Sequence, residues 1–279
     1  MKSMRIFLFL FFVSWQTLSF SQNSPKGKLF IIGGGSRTPE MMARMAEESG
    51  LKQGGYGIIL PMSSSEQDTA IYYSKKSFRE NGVNNVYGLS CSKNQAGSTE
   101  KVDSVLNAKL IYISGGDQSR FMDVIDGSNV GQAIHTAYRN GAMIAGTSAG
   151  AAVMSKIMIT GDQIKYPEYS STFSTIEKDN IKTRAGLGLM DRAIIDQHFV
   201  ARSRHNRLIT TVLEFPQLIG IGIDESTAIL VKGNRAEVIG LSQVLVYSNP
   251  RKSERIRNGL FGAKGLRLNI YLPGDKFKI

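Results

Sequence analysis

Ala142-Met143-Ile144-Ala145-Gly146-Thr147-Ser148-Ala149-Gly150-Ala151-Ala152-Val153-Met154 is the stretch from which the rest of the chain can be read. Its first four residues are apolar and follow the turn signal Asn140-Gly141, so they predict a short buried strand. Its last residues are small or apolar and predict the start of a helix. Between them, Gly146-Thr147-Ser148-Ala149-Gly150 fits G-x-S-x-G, the sharp strand-to-helix turn that exposes a serine hydroxyl at the end of a sheet. The flanking glycines permit a strained backbone and let strand and helix approach closely. The competing reading is a Gly-rich turn whose serine only caps the helix.

Upstream, the same alternation recurs. Lys28-Leu29-Phe30-Ile31-Ile32 is an apolar run stopped by Gly33-Gly34-Gly35 and followed by a helix-like segment from Pro39 to Glu48. Tyr56 to Leu60 precedes Ser63-Ser64-Ser65 and a helical stretch through Phe78, and Val86 to Leu89 and Lys109 to Ile113 are further strand candidates. This order predicts an α/β fold, a mostly parallel sheet flanked by helices on both faces. Functional residues of such sheets gather at the carboxyl ends of strands, so Ser114-Gly115-Gly116-Asp117-Gln118 and Ser148 are expected to open onto one crevice. Gly33-Gly34-Gly35 invites a dinucleotide reading, but Thr38 stands where the fingerprint needs its third glycine, and the match fails. Downstream, Ala193-Ile194-Ile195 ends at Asp196-Gln197-His198-Phe199, and the run from Leu218 to Ile223 ends at Asp224 and Glu225. Thr227 to Val231 and Ala236 to Ile239, joined by Lys232-Gly233-Asn234-Arg235, predict a C-terminal β-hairpin. The polar, basic tail from Asn249 carries no clear element signal.

A serine hydroxyl is a poor nucleophile at neutral pH and needs an imidazole to take its proton. Of the three histidines, His135 falls in the middle of a predicted helix, where a structural or surface role is expected, and His205 lies in a polar segment, where exposure is expected. His198 ends a strand beside acidic and amide residues, the place for a base. The imidazole needs a carboxylate to fix its tautomer. Asp196 shares a strand face with His198 and reaches the ring awkwardly; Glu225, at the end of the next apolar run, is better placed, with Asp224 a rival. An order of Ser, His, acid differs from the α/β-hydrolases, in which the acid precedes the histidine. Oxyanion donors are expected from the N–H of Ala149 and from Gly115 or Gly116. No H-E-x-x-H or comparable set of ligands is present, so neither a metal nor another cofactor is expected.

Met1-Lys2-Ser3-Met4-Arg5 is basic, Ile6 to Val13 is apolar, and Ser19-Phe20-Ser21 is a cleavage-like stretch, so residues 1–21 read as a signal peptide cut before Gln22. The apolar run is too short for a spanning helix, and no stable membrane anchor is expected after cleavage. Export to the periplasm or medium is the expected address. Residues 22–27 read as a short linker and 28–279 as a single catalytic domain, with 249–279 a basic extension of unassigned role. Cys91 is the only cysteine, so no internal disulfide forms, and without a glycine elbow it reads as a buried or incidental thiol. The formal net charge is +11. The charges are scattered apart from the arginines near His198 and a cluster at Arg251, Lys252, Arg255 and Arg257. With no zinc knuckle, RNA-binding aromatic motif or long basic helix, no nucleic-acid partner is expected.

The segments Ser114-Gly115-Gly116-Asp117-Gln118, Gly146-Thr147-Ser148-Ala149-Gly150-Ala151, Asp196-Gln197-His198-Phe199 with Arg202, Arg204 and Arg207-Leu208, and Gly220 to Ala228 resemble those of the cyanophycinase family of serine peptidases. The resemblance runs from about Lys28 to Gly240. It implies a class I glutamine amidotransferase-like fold, with Ser148 as nucleophile, His198 as base and Glu225 as orienting acid. It also implies endwise cleavage of cyanophycin, a poly-aspartate bearing arginine on each side chain, to β-Asp-Arg dipeptides, with Gln118, Asp196, Gln197, Arg202, Arg204 and Arg207 around the substrate. On the residues alone those arginines read as a structural ion-pair network or a solvated helix face. The loop Gly33-Gly34-Gly35-Ser36 departs from the family in lacking an acidic residue soon after the glycines. An aspartyl or isoaspartyl dipeptidase and a catalytically inactive peptide-binding relative are the other readings. A homodimer is an expectation from the family alone.

Overall fold

The structure, a computed structural model, describes residues 25–168 and 170–279; the expected signal peptide lies outside the described residues. From the amino end the elements run β1 (Lys28–Ile32), α1 (Pro39–Ser49), β2 (Gly57–Leu60), α2 (Gln67–Glu80), β3 (Val86–Gly88), α3 (Thr99–Leu106), β4 (Leu110–Ile113), α4 (Gln118–Ile125), α5 (Asn129–Asn140), β5 (Met143–Thr147) and α6 (Ala149–Ala152). There follow β6 (Ile157–Gln163), β7 (Ile181–Ala185), β8 (Ala193–Gln197), α7 (His205–Glu214), β9 (Ile219–Ile223), β10 (Thr227–Lys232), β11 (Arg235–Gly240), β12 (Val244–Ser248), β13 (Arg255–Arg257), β14 (Leu260–Gly262), β15 (Arg267–Tyr271) and β16 (Lys276–Lys278).

Polar side chains fix where helices begin. Thr38, the residue that spoils the dinucleotide fingerprint, caps α1 by accepting the Met41 N–H at 3.2 Å, with Pro39 in the first turn. Its hydroxyl satisfies one of the donors a helix start leaves unpaired. Asp117 does the same for α4, accepting from Ser119 and Arg120.

The main sheet has the order β16-β11-β10-β1-β5-β4-β2-β3. Its β1, β5, β4, β2 and β3 are parallel, as the alternating pattern predicts, and β10, β11 and β16 extend it antiparallel beyond β1. The predicted hairpin is β10–β11, closed through Gly233 at φ 59°, a positive value that glycine tolerates. Both faces are covered, so the strands read as continuous apolar runs. Phe30 and Ile32 pack with Met41, Met42, Met45 and Phe78 on the α1/α2 side; Leu29 and Ile31 pack with Val105, Phe121 and Ile134 on the other.

On that second side the structure adds a layer that the strand pattern does not announce. β15, β12, β9 and β8 form a separate four-stranded sheet, with β8 and β9 parallel. Ile195, Ile221, Ile223, Val244 and Val246 face the main sheet, whereas Ile194, Leu245 and Tyr247 pack with Leu208 and Val212 of α7. Alternate residues of a strand point to opposite faces, so β8, β9 and β12 are sandwiched between the main sheet and α7. The extension from Asn249, unassigned by sequence, is strand-rich: β15 pairs with β12, β16 with β11, and β13 with β14.

Candidate active site

Four loops meet at the carboxyl ends of the parallel strands: residues 33–38 after β1, 61–66 after β2, 114–117 after β4 and Ser148 after β5. Ser148 takes φ 53° and ψ −112°. Such a conformation costs an L-residue on the order of 1–3 kcal/mol and is held by its surroundings. Here the Ser148 N–H donates to the Ile32 carbonyl at 3.0 Å, and the glycines on either side are tightly confined, Gly146 against the Gly150 carbonyl and Gly150 against the Ile113 carbonyl. The turn presents a half-buried hydroxyl.

His198 comes from the other sheet. It follows β8 at φ 50°, and its backbone N–H donates to the Gly33 carbonyl at 2.7 Å. Its Nε2 lies 2.8 Å from Ser148 Oγ and its Nδ1 lies 2.6 Å from Glu225 Oε1. Glu225 sits in the link from β9 to β10, where the chain passes from one sheet to the other, and the next residue donates its N–H to the Gly34 carbonyl at 2.8 Å. Ser148, His198 and Glu225 are thus in line. Between Glu225 and its rival the geometry is unambiguous: Asp224 Oδ1 accepts the N–H groups of Val200 and Ala201 at 3.0 and 2.9 Å, and its Oδ2 accepts the Ser242 hydroxyl at 2.6 Å. Asp224 holds the turn after His198 rather than the imidazole.

Sequence reasoning gives the Gly33-Gly34-Gly35 loop no role beside the histidine. It is the wall behind the histidine. A Cβ on Gly34, which has φ 115°, would fall on the His198 ring, and one on Gly35 would lie 2.8 Å from Glu225 Cβ. Three glycines straight after a strand were the available signal, read for phosphate instead of for close approach. Arg37, in the same loop, donates to the Tyr112 hydroxyl at 2.6 Å. Because β5 lies between β1 and β4, this bond bridges the two strands that flank the serine's own.

Of the expected oxyanion residues, Ala149 follows the serine directly. A Cβ on Gly115 would lie 3.5 Å from Ser148 Cβ, so this loop runs beside the nucleophile; Gly116, at φ 138°, backs onto the Ser63 carbonyl. The remaining candidates form a buried polar cluster. Asp196, 1% exposed, receives a two-pronged contact from Arg207, 2% exposed, through Nε at 2.8 Å and through Nη2. Arg204 donates to the Gln197 carbonyl at 2.6 Å and to its side-chain oxygen, and Arg207 Nη2 lies 3.3 Å from that same oxygen. The ion-pair network that the residues alone suggest is therefore present at Arg204 and Arg207. Arg202 stands apart, exposed. Gln118 donates to the carbonyls of Ile159 and Thr160 at 2.9 and 2.6 Å, tying α4 to β6.

The other histidines divide. His135 is half-buried in α5 as expected. The expectation of an exposed His205 is corrected: its Nδ1 lies 2.9 Å from the Tyr247 hydroxyl and its ring is edge-on to Phe199 at 4.9 Å, because the second sheet brings β12 under the start of α7. Cys91 is buried, and burial pushes its thiol pKa up, which disfavours the reactive thiolate.

Burial pushes the His198 pKa below its ordinary value; the positive charges of Arg202 and Arg204 add to this, and the bond to Glu225 opposes it. The imidazole is then neutral at pH 7, the form that accepts a proton. The acid limb of kcat/KM is expected below pH 6.5. Replacing the exposed Arg202 by glutamine removes a cation that disfavours protonation, so the limb should move to higher pH, and added salt should move the wild-type limb the same way. A limb that stays in place in the variant would remove Arg202 from this account.

The model of peptidase family S51 matches residues 29–239. The chain belongs to peptidase family S51. This S51 chain is 32% identical over 233 residues to the cyanophycinase of Nostoc sp. strain PCC 7120, covering 80% of this chain and 75% of that protein. It is 28% identical over 267 residues to the cyanophycinase of Synechococcus elongatus, covering 91% of this chain and 80% of the other. Among solved structures it is similar to a peptidase from an acI-B1 actinobacterium, with a TM-score of 0.65 and 21% identity over 91% of this chain and 97% of that one. A peptidase E protein from Listeria monocytogenes EGD-e gives a TM-score of 0.53 at 18% identity over 77% of this chain and 99% of that one. At these identities the two structures speak for the fold, and the family for the chemistry: the S51 chain is a cyanophycinase-like serine-type peptidase.

Proposed function

We propose that this S51 peptidase is an exported exopeptidase that degrades cyanophycin, multi-L-arginyl-poly-L-aspartate, to β-Asp-Arg dipeptides through an acyl-enzyme on Ser148. The observation that carries the chemistry is the hydrogen-bonded line from Ser148 Oγ through the His198 imidazole to Glu225. Ser148 Oγ attacks the peptide carbonyl while His198 Nε2 takes its proton. Glu225 holds Nδ1–H, which leaves Nε2 free to accept, and it stabilises the imidazolium that results. The oxyanion of the tetrahedral intermediate faces the N–H of Ala149 and of Gly116. Collapse breaks the C–N bond, and the leaving amine takes the proton from His198. Water, deprotonated by the same imidazole, then hydrolyses the ester and returns the proton to Ser148. The choice of substrate rests on the likeness to the two cyanophycinases, and export rests on the pattern of Met1 to Ser21.

One observation favours a second reading, an aspartyl or isoaspartyl dipeptidase. Apart from Glu225, the carboxylates on the segments that carry His198 and Glu225 are already engaged, Asp196 by Arg207 and Asp224 by backbone and Ser242, whereas Arg202 is exposed. Such a rim suits a substrate carboxylate better than a substrate guanidinium.

The test is incubation of the chain from Gln22 onward with insoluble cyanophycin, with soluble β-Asp-Arg read by mass spectrometry beside a Ser148→Ala control. Release that disappears in the control is the expected result. Cleavage of short isoaspartyl peptides without release from the polymer would select the second reading. A folded chain that cleaves neither, and whose serine resists a serine-directed phosphonate, would sink both and leave a peptide-binding relative.

A further inference from the structure

Residues 249–279, beyond the stretch that the family model matches, hold eight lysines and arginines against two acidic residues, a net of +6 in a chain whose formal net charge is +11. Both acids have partners: Glu254 lies 3.6 Å from Lys178, and Asp275 accepts the Leu272 N–H at 2.8 Å. Arg251, Lys252, Arg255, Arg257, Lys264 and Arg267 are all exposed, and among the described residues none of the six is in an ion pair. Two of the segments that carry them meet, since the Arg251 side chain lies against Gly265 and the Lys264 N–H donates to the Ser253 hydroxyl at 3.0 Å.

The same segment exposes large aliphatic side chains. Leu268, Ile270 and Leu272 are each about half exposed, as are Ile256 and Leu260 of the β13–β14 hairpin. Leu268 and Ile270 share one face of β15, an edge strand of the second sheet, and Leu272 follows directly after it. Opposite Leu268 and Ile270 on β12 stand Tyr247 and Leu245, which are buried with the α7 residues Leu208 and Val212. The apolar face that α7 covers on β8, β9 and β12 therefore continues, open, onto β15.

We propose that residues 249–279 form a peripheral docking surface for an anionic lipid bilayer. Cations close to an acidic headgroup layer are attracted by it, and leucine and isoleucine side chains beside them enter the boundary between headgroups and acyl chains. Charge decides among the occupants. A soluble polyanion would match the six cations and leave the row of aliphatic side chains on β15 unexplained. A second copy packed face to face on that row would cover it but bring the same cations together across the two-fold axis, where like charges repel. An acidic bilayer satisfies both features at once. This surface is independent of the substrate assigned to the site.

The experiment is co-sedimentation of the chain from Gln22 onward with vesicles of phosphatidylcholine alone or of phosphatidylcholine with phosphatidylglycerol, at low and at high salt. Binding is expected only to the acidic vesicles and is expected to weaken with salt. Arg255→Gln with Arg257→Gln should weaken it by roughly 30-fold, the effect of two cations at the usual attraction per residue. Leu268→Ser with Ile270→Ser should weaken it as well, with circular dichroism, melting temperature and reactivity of Ser148 unchanged in both variants. No sedimentation, or equal sedimentation with neutral vesicles, would overturn the proposal. So would binding that ignores the Leu268 and Ile270 changes and is matched by a soluble polyanion, or a lipid-free dimer in light scattering that those changes dissociate.

Discussion

Replacing Ser148 by alanine is expected to lower kcat by about 10⁴- to 10⁶-fold, and replacing His198 in the same chain to add almost nothing. On the proposed mechanism the two groups act as one device. Without the hydroxyl the imidazole has no nucleophile to activate, and without the imidazole the hydroxyl keeps its proton, so either loss removes the acyl-enzyme route. What remains in each variant is binding and the oxyanion donors, worth roughly 10³- to 10⁴-fold over water in well-studied serine peptidases. The measurement is kcat for a soluble aspartyl peptide in the two single variants and the double. Single losses that multiply in the double variant would mean that Ser148 and His198 act independently, and the 2.8 Å contact between them would then have no catalytic meaning.

The second large effect is on stability. Asp196→Ala is expected to destabilise the fold by about 3–5 kcal/mol, because it leaves the guanidinium of Arg207 buried without its counter-charge. For a chain of this size that corresponds to a fall in melting temperature of roughly 6–20 °C. Asp196 is the penultimate residue of β8 and Arg207 lies in the first turn of α7, so the pair ties the strand that delivers His198 to the helix that covers it. Removing both charges together, with Asp196→Leu and Arg207→Met, should recover much of the loss. Urea unfolding of the parent and the two variants checks this; a single variant as stable as the parent would mean that water reaches Arg207 despite its 2% exposure.

These effects bear on how far the chain could be read without coordinates. The parallel strands were legible because both of their faces are buried, which writes them as unbroken apolar runs such as Leu29 to Ile32. The serine was legible because its turn admits few residue types, and His198 and Glu225 because each follows directly on such a run. Which sheet a strand joins is another matter. Ala193 to Gln197 and Ile219 to Ile223 look like any other buried strand, and only the pairing of β9 with β12, and of β12 with β15, reveals a second layer. The tail was illegible because β13, β14 and β16 are only three residues long, too short for a strand's alternation to stand out. Arginines at the start of a helix are ordinarily exposed, so the sequence carried no sign that Arg204 and Arg207 turn inward; their counter-charge, Asp196, lies a loop away. The role of Gly34 was hidden for the same reason: what it accommodates is a ring that arrives from another sheet.

That arrangement has a consequence for when the molecule is active. On the function proposed above, the nucleophile Ser148 belongs to one sheet and its base His198 to the other, and the two are stitched where the Gly33 carbonyl receives the His198 N–H and the Gly34 carbonyl receives the Ser226 N–H. Neither layer holds a working centre by itself. A chain in which both sheets have formed but have not closed on each other would, on that reading, be harmless to its neighbours, because hydrolytic power needs the two layers joined.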